Sequence, residues 1–531
     1  MQLDYQDRLD RLRSHAGDSA LRTPTMGVER ECLRVDPEGR IAKSVHPEAL
    51  GAALTNPFVT TDYSEALLEL ITPPCRGAGP TFEFLTDIHQ FVDGHLDAGE
   101  QLWSSSMPCV VNGDADVPIA HYGTSNVGMM KRIYRVGLGY RYGRTMQAIA
   151  GVHFNYSPPP AVWSAWFGEG NLSERQRQIS ASLFGMVRNL RRYGWLMLYL
   201  YGASPAVCRT FFGARADALK RLGLERLDEY TAFLPYATSL RMSDLGYSNK
   251  AQASVQVSAN SLDEYIDGLT HAITTPWPAY EEIGVRVDGE YRQLNANLLQ
   301  IENEYYSLVR PKRVAQSGES PMQALRRGGV EYVELRALDV DPFAPSGVSE
   351  EQLLVLEAFM LYCLTADSPP ITEQEAKGID SNTRLVARRG REPGLKLHTA
   401  DGGEVPLRDE ALRLVDGMLG LCEEVFAGAG ADVRQALGRQ RCAVIEPSLT
   451  PSARLLDEMT TRQESFIESA LRLSAWHREA LRGRGVLAPA MLAVLEHEVR
   501  RSHKRQREIE ATDQLSFEQY LHNYYRQTRR R

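Results

Sequence analysis

The sequence predicts an α+β body followed by a helical C-terminal portion, and three observations support this fold class. Four short segments alternate apolar and polar side chains, as β-strands do. Residues 172–202 place apolar side chains near helical spacing and end at a glycine, which predicts one long helix. Beyond Ser349, nearly every segment has helical periodicity. A mixture of strands and helices followed by helices alone is typical of an α+β protein.

The remaining elements follow along the chain. A first helix is predicted near residues 3–15 and another over Thr81 to Met107, and strand signals return between Ala251 and Leu338. The sequence Val287-Asp288-Gly289-Glu290 predicts a tight hairpin turn there, because Asp-Gly suits positive backbone φ angles. The later helices are predicted over Glu350 to Thr365, Asp409 to Ala427, Pro451 to Arg482, and Pro489 to Glu510.

We expect a single domain over residues 1–531. The catalytic strands and motifs would lie within residues 20–370, and residues 375–531 would form the helical part, packed onto the rest. There are two candidate linkers, and both are short. Residues 387–394 are rich in arginine and glycine, and residues 427–432 are rich in glycine and alanine. Neither one indicates a separate domain.

The four strand-like segments share one arrangement of charged side chains. They are Gly27 to Val35, Val152 to Ser157, Leu298 to Tyr306, and Val330 to Leu338. Because strand side chains alternate between two faces, each segment has a polar side and an apolar side. The polar sides carry Glu29 and Glu31, then His153 and Asn155, then Gln300, Glu302 and Glu304, then Glu334 and Arg336. The apolar sides carry Val28, Cys32, Phe154, Tyr156, Leu299, Ile301, Val333 and Leu335.

This arrangement requires positive charge. Two residues along a strand span roughly 7 Å, and two like charges there repel by about 2 kcal/mol at an effective dielectric near 20. Several such pairs brought together on one sheet therefore need cations. Ligand sets that are rich in oxygen and lack cysteine suit Mg²⁺ or Mn²⁺, and Mg²⁺ in proteins commonly works with substrate phosphates. The pattern indicates phosphoryl chemistry on a sheet.

Composition narrows the class of partner. The chain has 531 residues, with 60 basic and 68 acidic side chains and a net charge of −8, so it should repel nucleic acid and anionic membranes. The seven cysteines are scattered and never spaced as CxxC, which argues against a disulfide framework or a zinc site. No run reaches the roughly 18 apolar residues of a membrane span. We expect a cytoplasmic protein with small-molecule substrates and without nucleic-acid or membrane partners.

Longer motifs carry a resemblance. They are GVERECLRV, HPEALGAALTNPFVTTDYSEALLELITP, SMPC, YGTSNVG, GVHFNYSPP, GASPAVC, LPYATSLRMSDLGYSN, LQIENEYYSLVRPKR, SGESP and GGVEYVELRALDVDPF. In order and spacing they resemble the proteobacterial glutamate-cysteine ligases, also called gamma-glutamylcysteine synthetases, over roughly residues 20 to 370. The resemblance implies a glutamine-synthetase-like catalytic antiparallel sheet surrounded by helices. It also implies ATP as co-substrate, Mg²⁺ (or Mn²⁺), and a monomer.

The resemblance assigns metal ligands and catalytic residues. The implied ligands are Glu29, Asp62, Glu69, His153 and Glu334, with Glu31 close by. Asp62 and Glu69 come from the resemblance alone, because TTDYSEALLEL otherwise reads as a loop and a strand edge. Arg336 is similar to the arginine that the family places against the γ-phosphate of ATP, so Arg336 and Glu334 are the implied catalytic residues. The alternative role for Arg336 is an ion pair with Glu334.

The resemblance also implies an amino-acid pocket. Its residues would be Tyr63, Tyr134, Leu138, Gln147, Tyr247 and Tyr306. Arg241 would bind a substrate carboxylate or the nucleotide, and Arg135 and Arg336 would bind the nucleotide. Aromatic rings can contact a thiol, and tyrosine hydroxyls can hydrogen-bond a carboxylate. Position 63 is tyrosine where we expect phenylalanine in the best-known relatives, a change that could tighten or polarise the thiol pocket.

The implied reaction joins the γ-carboxylate of glutamate to the α-amine of cysteine through γ-glutamyl phosphate. Its products would be γ-glutamylcysteine, ADP and phosphate, and it would be the first step of glutathione synthesis. Three alternatives stay open: a ligase for another amine, a phosphagen-type kinase, and a metabolite-binding protein without catalysis. The first two differ in product, and the third binds ATP and amino acid without turnover.

Overall fold

The computed structural model describes residues 3–15, 19–108, 110–168, 170–213, 216–245, 255, 257–316, 318–426 and 430–529. The helices are α1 (Tyr5–Arg13), α2 (Ala78–Asp93), α3 (Asn126–Tyr142), α4 (Pro160–Phe167), α5 (Leu172–Tyr193), α6 (Trp195–Tyr201), α7 (Ala216–Arg221), α8 (Leu262–Thr274), α9 (Pro278–Ile283), α10 (Pro321–Gly328), α11 (Glu350–Thr365), α12 (Glu373–Arg389), α13 (Leu407–Phe426), α14 (Ala431–Ile445), α15 (Pro451–Arg462), α16 (Phe466–Gly483), α17 (Pro489–Thr512) and α18 (Phe517–Arg529). Across the described ranges, no helix is both long and apolar enough to cross a membrane.

The strands are short, apart from the first. They are β1 (Thr25–Val35), β2 (Val59–Thr61), β3 (Leu67–Ile71), β4 (Cys75–Arg76), β5 (Gln101–Leu102), β6 (Val152–Ser157), β7 (Ala206–Cys208), β8 (Glu225–Arg226), β9 (Thr231–Phe233), β10 (Arg286–Val287), β11 (Glu290–Tyr291), β12 (Val309–Lys312), β13 (Tyr332–Leu338), β14 (Lys396–His398) and β15 (Glu404–Pro406). The predicted hairpin is confirmed by β10 and β11, with positive φ at Asp288 and Gly289.

A central antiparallel sheet organises the fold. Its strand order is β12-β13-β6-β1-β3-β2, and β4 and β5 pair with the two ends of β1. The side chains of Val28, Phe154 and Leu335 are fully buried on one face, as the alternation predicts. Helices α2, α5 and α6 pack against strands of this sheet. The predicted α+β class, with an antiparallel sheet surrounded by helices, is confirmed.

The helical C-terminal part packs onto the sheet-bearing body. Helices α13 and α14 contact α11, α16 contacts α2 and β5, and α18 contacts α3. Two of these helices begin with capping boxes, at Ser349 with Gln352 and at Ser465 with Glu468, in which side chains satisfy the free backbone N–H groups. Residues 396–406 form a small hairpin that the helical periodicity did not predict.

Three predicted helices are wrong in length. The helix predicted from Thr81 stops at Asp93, with Gly94 as its C-cap. Gly99, at φ 90°, then turns the chain into β5, which pairs with β1. The helix over 172–202 is interrupted at Gly194, where a Cβ atom would lie 2.6 Å from Leu308 Cδ2. The helix over 451–482 is divided at Gln463, which has φ 55°.

The strand predicted over Leu298 to Tyr306 is also wrong. This segment is a loop with a 3₁₀ turn at Glu302–Glu304. Its carboxylates accept backbone N–H groups: Gln300 N donates to Glu304 Oε2 (2.7 Å) and Met322 N donates to Glu302 Oε1 (3.3 Å). Glutamates at alternating positions can accept hydrogen bonds from backbone N–H groups and so stabilise a turn. The same pattern therefore fits a turn as well as a strand.

Candidate active site

The register of the central sheet brings the predicted charged side chains to one face. Glu29 lies opposite His153, and Glu31 lies opposite Glu69. On the other side of β6, Glu334 lies opposite Asn155. Since neighbouring residues in register share a face, β1, β3, β6 and β13 together form one polar surface.

The predicted metal ligands form two groups that share Glu69. One group is Glu29, Glu69 and His153, and the other is Glu31, Asp62 and Glu69; within each group the ligand atoms lie within 4.8 Å of one another. His153 Nδ1 is 3.3 Å from Glu29 Oε2, and His153 Nε2 is 3.5 Å from Glu31 Oε1. Glu334 Oε1 is 4.0 Å from His153 Nδ1. Hence all six proposed ligands are close together.

Neighbouring donors orient these carboxylates. Gly151 N–H donates to Glu31 Oε2 (2.7 Å), and Asn155 Nδ2 donates to Glu29 Oε1 (2.9 Å). Burial raises the pKa of Glu31, and burial with the nearby charge of Glu29 raises the pKa of Glu69 well above its ordinary value. Such an environment favours a proton or a bound cation over free carboxylate charge.

Cations surround Glu334 on the next strand pair. Lys312 Nζ is 3.6 Å and Arg336 Nη1 is 3.3 Å from Glu334 Oε1, and Arg310 lies opposite Glu334 in the register. Burial acts to raise the pKa of Glu334, yet the charges of Lys312, Arg336 and Arg310 hold it well below its ordinary value. The ion pair between Arg336 and Glu334 is therefore present, and it keeps both groups charged.

Arg336 and Glu334 retain hydrogen-bonding capacity. Within the described part of the chain, neither Arg336 Nε nor Glu334 Oε2 has a hydrogen-bond partner, although both atoms are buried. Buried polar atoms usually have partners, so these two atoms are available to an ion, a water molecule or a substrate.

A cavity of about 110 Å³ opens beside the polar face. It is lined by Glu31, Asp62, Tyr63, Tyr134, Arg135, Leu138, Tyr142, Gln147, Ile149, His153, Arg241, Asn303, Glu304, Tyr306, Arg310 and Arg336. Every predicted pocket residue that the structure describes is among them. Tyr247 lies outside the described residues.

Several lining groups are held firmly. Arg241 donates to the carbonyl oxygens of Arg336 (3.1 Å) and Leu338 (3.2 Å), and Arg135 lies 4.6 Å over the ring of Tyr122. Others are unsatisfied: in the described ranges, the buried Tyr63 hydroxyl and Gln147 Nε2 have no hydrogen-bond partner. The pocket thus combines fixed cations with polar atoms that a small polar ligand could satisfy.

Comparison with known proteins identifies the family. A model of the glutamate-cysteine ligase family matches residues 9–386. The chain belongs to this family. The glutamate-cysteine ligase of Alcanivorax borkumensis is 46% identical over 507 residues, covering 94% of this chain and 95% of the relative. That of Pseudomonas putida is 48% identical over 458 residues, covering 86% of each chain.

A solved structure agrees with the sequence relatives. The crystal structure of glutamate-cysteine ligase from Francisella tularensis, in complex with AMP, matches with a TM-score of 0.88 and 36% identity, covering 95% of this chain and 98% of that one. The predicted resemblance and the ligase class are confirmed. Ligases of this family make γ-glutamylcysteine, the precursor of glutathione.

The ligase site contains residues that the sequence analysis missed. Lys312 and Arg310 were not predicted, although they alternate along RPK in the motif that follows the pocket loop. Tyr142, Ile149 and Asn303, which were also not predicted, line the cavity, as does Glu304. By contrast, Glu302 and Glu304 do not join the metal-ligand groups. Glu304 instead forms an ion pair with Arg141 (2.8 Å) in which both side chains are fully buried.

Proposed function

We propose that this ligase joins the γ-carboxylate of glutamate to the α-amine of cysteine with ATP and Mg²⁺ (or Mn²⁺), through γ-glutamyl phosphate. The observation that carries the proposal is the polar face of the sheet. There the two groups of metal ligands, which include His153, lie close to the cations Lys312 and Arg336 and beside one cavity. The AMP complex of the Francisella relative supports a nucleotide as co-substrate. Phosphoryl transfer depends mainly on positioning and fixed charge, which this face supplies.

The donor set fits a hard divalent cation. Glu29, Glu69 and His153 would hold one ion, and Glu31, Asp62 and Glu69 offer a second group of ligand atoms. Oxygen ligands dominate both groups, as Mg²⁺ requires, and the single imidazole is compatible with Mn²⁺. When bound, the cation supplies positive charge that screens the ATP phosphates from the substrate carboxylate.

The protein groups around Glu334 would stabilise the transferring phosphoryl group. A carboxylate does not accept an amine at neutral pH, so it must first gain a leaving group, and the acyl phosphate provides one. Arg336, with Nε unsatisfied within the described residues, and Lys312 present fixed positive charge next to the carboxylate cluster. Fixed cations of this kind stabilise charge that spreads over a phosphoryl group in flight.

The cavity would hold the two amino acids and keep water from the acyl phosphate. Arg241 and Arg135 would bind carboxylates or the nucleotide, while Tyr63, Tyr134, Leu138, Gln147 and Tyr306 would enclose the acceptor. The aromatic rings favour a thiol-bearing side chain, because sulfur contacts ring edges well. Phosphate would leave when the amine of cysteine attacks the acyl carbon.

An ADP-release assay tests the proposal. Purified protein is incubated with glutamate, ATP and Mg²⁺, with and without cysteine, and product masses are read from the same mixture. We expect ADP release that depends on cysteine, and γ-glutamylcysteine as product. ADP release without this product would call for a screen of other amines, and a phosphorylated amine would indicate a kinase. No ADP release under any condition would overturn the proposal in favour of a binding protein.

A further inference from the structure

Two walls of the cavity lie outside the central sheet. Helix α3 contributes Tyr134, Arg135 and Leu138, and residues 298–306, here called the pocket loop, contribute Asn303, Glu304 and Tyr306. Within the described residues, the loop belongs to no strand ladder. Backbone hydrogen bonds from Leu298 N to Thr275 O (2.9 Å) and from Leu299 N to Ala272 O (3.1 Å) hold its start, and side-chain contacts hold the remainder.

The two walls are fastened to each other through Gln300 and Glu304. Gln300 Nε2 donates to the carbonyl oxygen of Tyr134 (3.2 Å), and a Cβ atom at Gly137 would lie 2.2 Å from Gln300 Oε1, so the loop side chain fits against a glycine of α3. Glu304 accepts hydrogen bonds from Arg141 (2.8 Å) and from the Tyr142 hydroxyl (2.6 Å) at the end of α3. A shift of the loop would break buried, charge-assisted hydrogen bonds.

The C-terminal helix α18 holds the pocket loop from its other side. The Tyr525 hydroxyl donates to the carbonyl oxygen of Gln300 (3.0 Å) and accepts from Asn295 Nδ2 (2.8 Å). The Tyr524 hydroxyl donates to Glu302 Oε2 (3.4 Å). Beneath these bonds lies a small apolar cluster, formed by Phe517, Leu521, Met130, Ile133, Leu294 and Ile301. This cluster joins α18, α3 and the pocket loop, and Tyr134 packs against it.

The segment before α18 holds the beginning of α3. Asp513 accepts hydrogen bonds from the backbone N–H of Asn126, the first residue of α3, and from its Nδ2 (2.6 Å). Glu510 accepts from Thr124 N (2.9 Å). Carboxylates are favourable at a helix N-terminus, where free N–H groups and the helix dipole attract negative charge. Residues 510–529 therefore contact α3 at its start and along its length.

We propose that residues 510–529 form a brace that sets the spacing between α3 and the pocket loop, with Tyr525 and Tyr524 as positioning residues for amino-acid binding. The brace lies beyond the residues that the family model matches, which end at 386. None of its described residues lines the cavity, so the brace acts through Gln300, Glu302 and α3. The expected change in the KM for cysteine rests on the proposed function. The expected loosening of the pocket loop rests on the structure alone.

Kinetics of full-length variants test the brace. Tyr525→Phe and Tyr524→Phe each remove one hydroxyl and keep the ring, and Tyr520→Phe on the same helix is the matched control. We expect Tyr525→Phe to raise the KM for cysteine about threefold or more, in line with the loss of a partly buried hydrogen bond. In Tyr525→Phe the kcat should change less than the KM for cysteine, and the KM for ATP should stay at the wild-type value. In the control, Tyr520→Phe, all kinetic constants should stay at wild-type values. An unchanged cysteine KM in both variants, or a lowered Tm without a KM change, would overturn the proposal.

Hydrogen–deuterium exchange gives a readout that needs no activity. In Tyr525→Phe we expect the backbone amides of the pocket loop to exchange faster than in wild type, with Tyr520→Phe unchanged. The variant loses one of the two hydrogen bonds to the Gln300 carbonyl and keeps the one from Asn295 Nδ2. Equal exchange in all three proteins would refute the brace. If the pocket loop exchanges faster in Tyr525→Phe but the wild-type protein releases no ADP, the brace stands and the proposed reaction fails. The failures of the two proposals are therefore distinguishable.

Discussion

At the scale of single residues, Glu334 is buried among opposite charges. Lys312 and Arg336 lie within 4 Å, and their charges hold the pKa of Glu334 low despite burial. Glu334→Gln keeps the size but removes the charge that orients both cations. We expect turnover to fall about 10- to 100-fold, with a higher Mg²⁺ concentration needed for half-maximal rate. Initial rates over a Mg²⁺ titration measure both effects.

Glu331 provides the control for Glu334. It is exposed, immediately precedes β13, and pairs with Arg313 at 3.7 Å. Glu331→Gln should leave turnover unchanged, because exposed ion pairs contribute little. Wild-type rates and an unchanged Mg²⁺ requirement in Glu334→Gln would remove Glu334 from the proposed site.

Tyr306 tests the acceptor pocket. Its ring lines the cavity, and its hydroxyl contacts Met242 Sδ at 3.1 Å. Tyr306→Ala removes an aromatic contact, so the KM for cysteine should rise about tenfold, more than the KM for glutamate. Steady-state kinetics with each amino acid varied in turn gives the comparison. Tyr305→Phe is the control, because Tyr305 is a neighbouring aromatic residue that does not line the cavity. Equal shifts of the cysteine and glutamate KM values in Tyr306→Ala would contradict a role for Tyr306 in the cysteine pocket.

At the scale of elements, the entry to β6 depends on a glycine. Gly151 N–H orients Glu31, and a Cβ atom at residue 151 would lie 2.1 Å from Arg241 Nη2, which no real contact tolerates. Gly151→Ala must displace the buried Arg241 guanidinium from the carbonyl oxygens of Arg336 and Leu338. We expect a loss of about 1.5 to 3 kcal/mol in unfolding free energy and at least a tenfold loss of activity. Chemical denaturation and the ADP assay measure these.

Gly170→Ala is the matched control for Gly151→Ala. A Cβ atom there would meet no described heavy atom within 4 Å. Stability and activity should therefore stay at wild-type values. If Gly151→Ala behaves in the same way, Arg241 is free to move and does not fix the pocket.

The sequence predicts strands well where one face must be buried. In β1, β6 and β13 the apolar residues Val28, Phe154 and Leu335 occupy the core, so alternation specifies both strand and register. The same alternation in the pocket loop was misleading, since Glu304 accepts hydrogen bonds from Gln300 N and Arg141 instead of joining the metal-ligand groups. Periodicity does not reveal which donor a carboxylate will find.

Some site residues are invisible to pattern alone. Glu69 lies in β3, whose sequence LLELI is almost continuously apolar, so its role came from the resemblance. The contacts of Tyr525 with Gln300 join residues that are far apart in the chain. Such contacts follow from tertiary packing, and local sequence carries no sign of them.

At the scale of the whole molecule, folding brings several carboxylates together beside the central sheet. Glu29, Glu31, Asp62 and Glu69 meet beside one sheet face. Burial raises the pKa of Glu31, and burial together with the charge of Glu29 raises the pKa of Glu69. The folded state brings these charges together and the unfolded chain separates them, so the site lowers stability when no cation is bound. A cation that binds only the folded protein should offset this cost by mass action.

Thermal unfolding with and without Mg²⁺ tests this coupling. We expect millimolar Mg²⁺ to raise the wild-type Tm by about 2 to 5 °C relative to EDTA. Glu69→Gln removes the carboxylate that both ligand groups share, so its Tm in EDTA should equal or exceed that of wild type, while its gain with Mg²⁺ should be less than half as large. Glu282→Gln, at an exposed position on α9, should respond to Mg²⁺ as wild type does. A full Mg²⁺ response in Glu69→Gln would show that the cation binds elsewhere, because a shared ligand cannot be lost without weakening both groups.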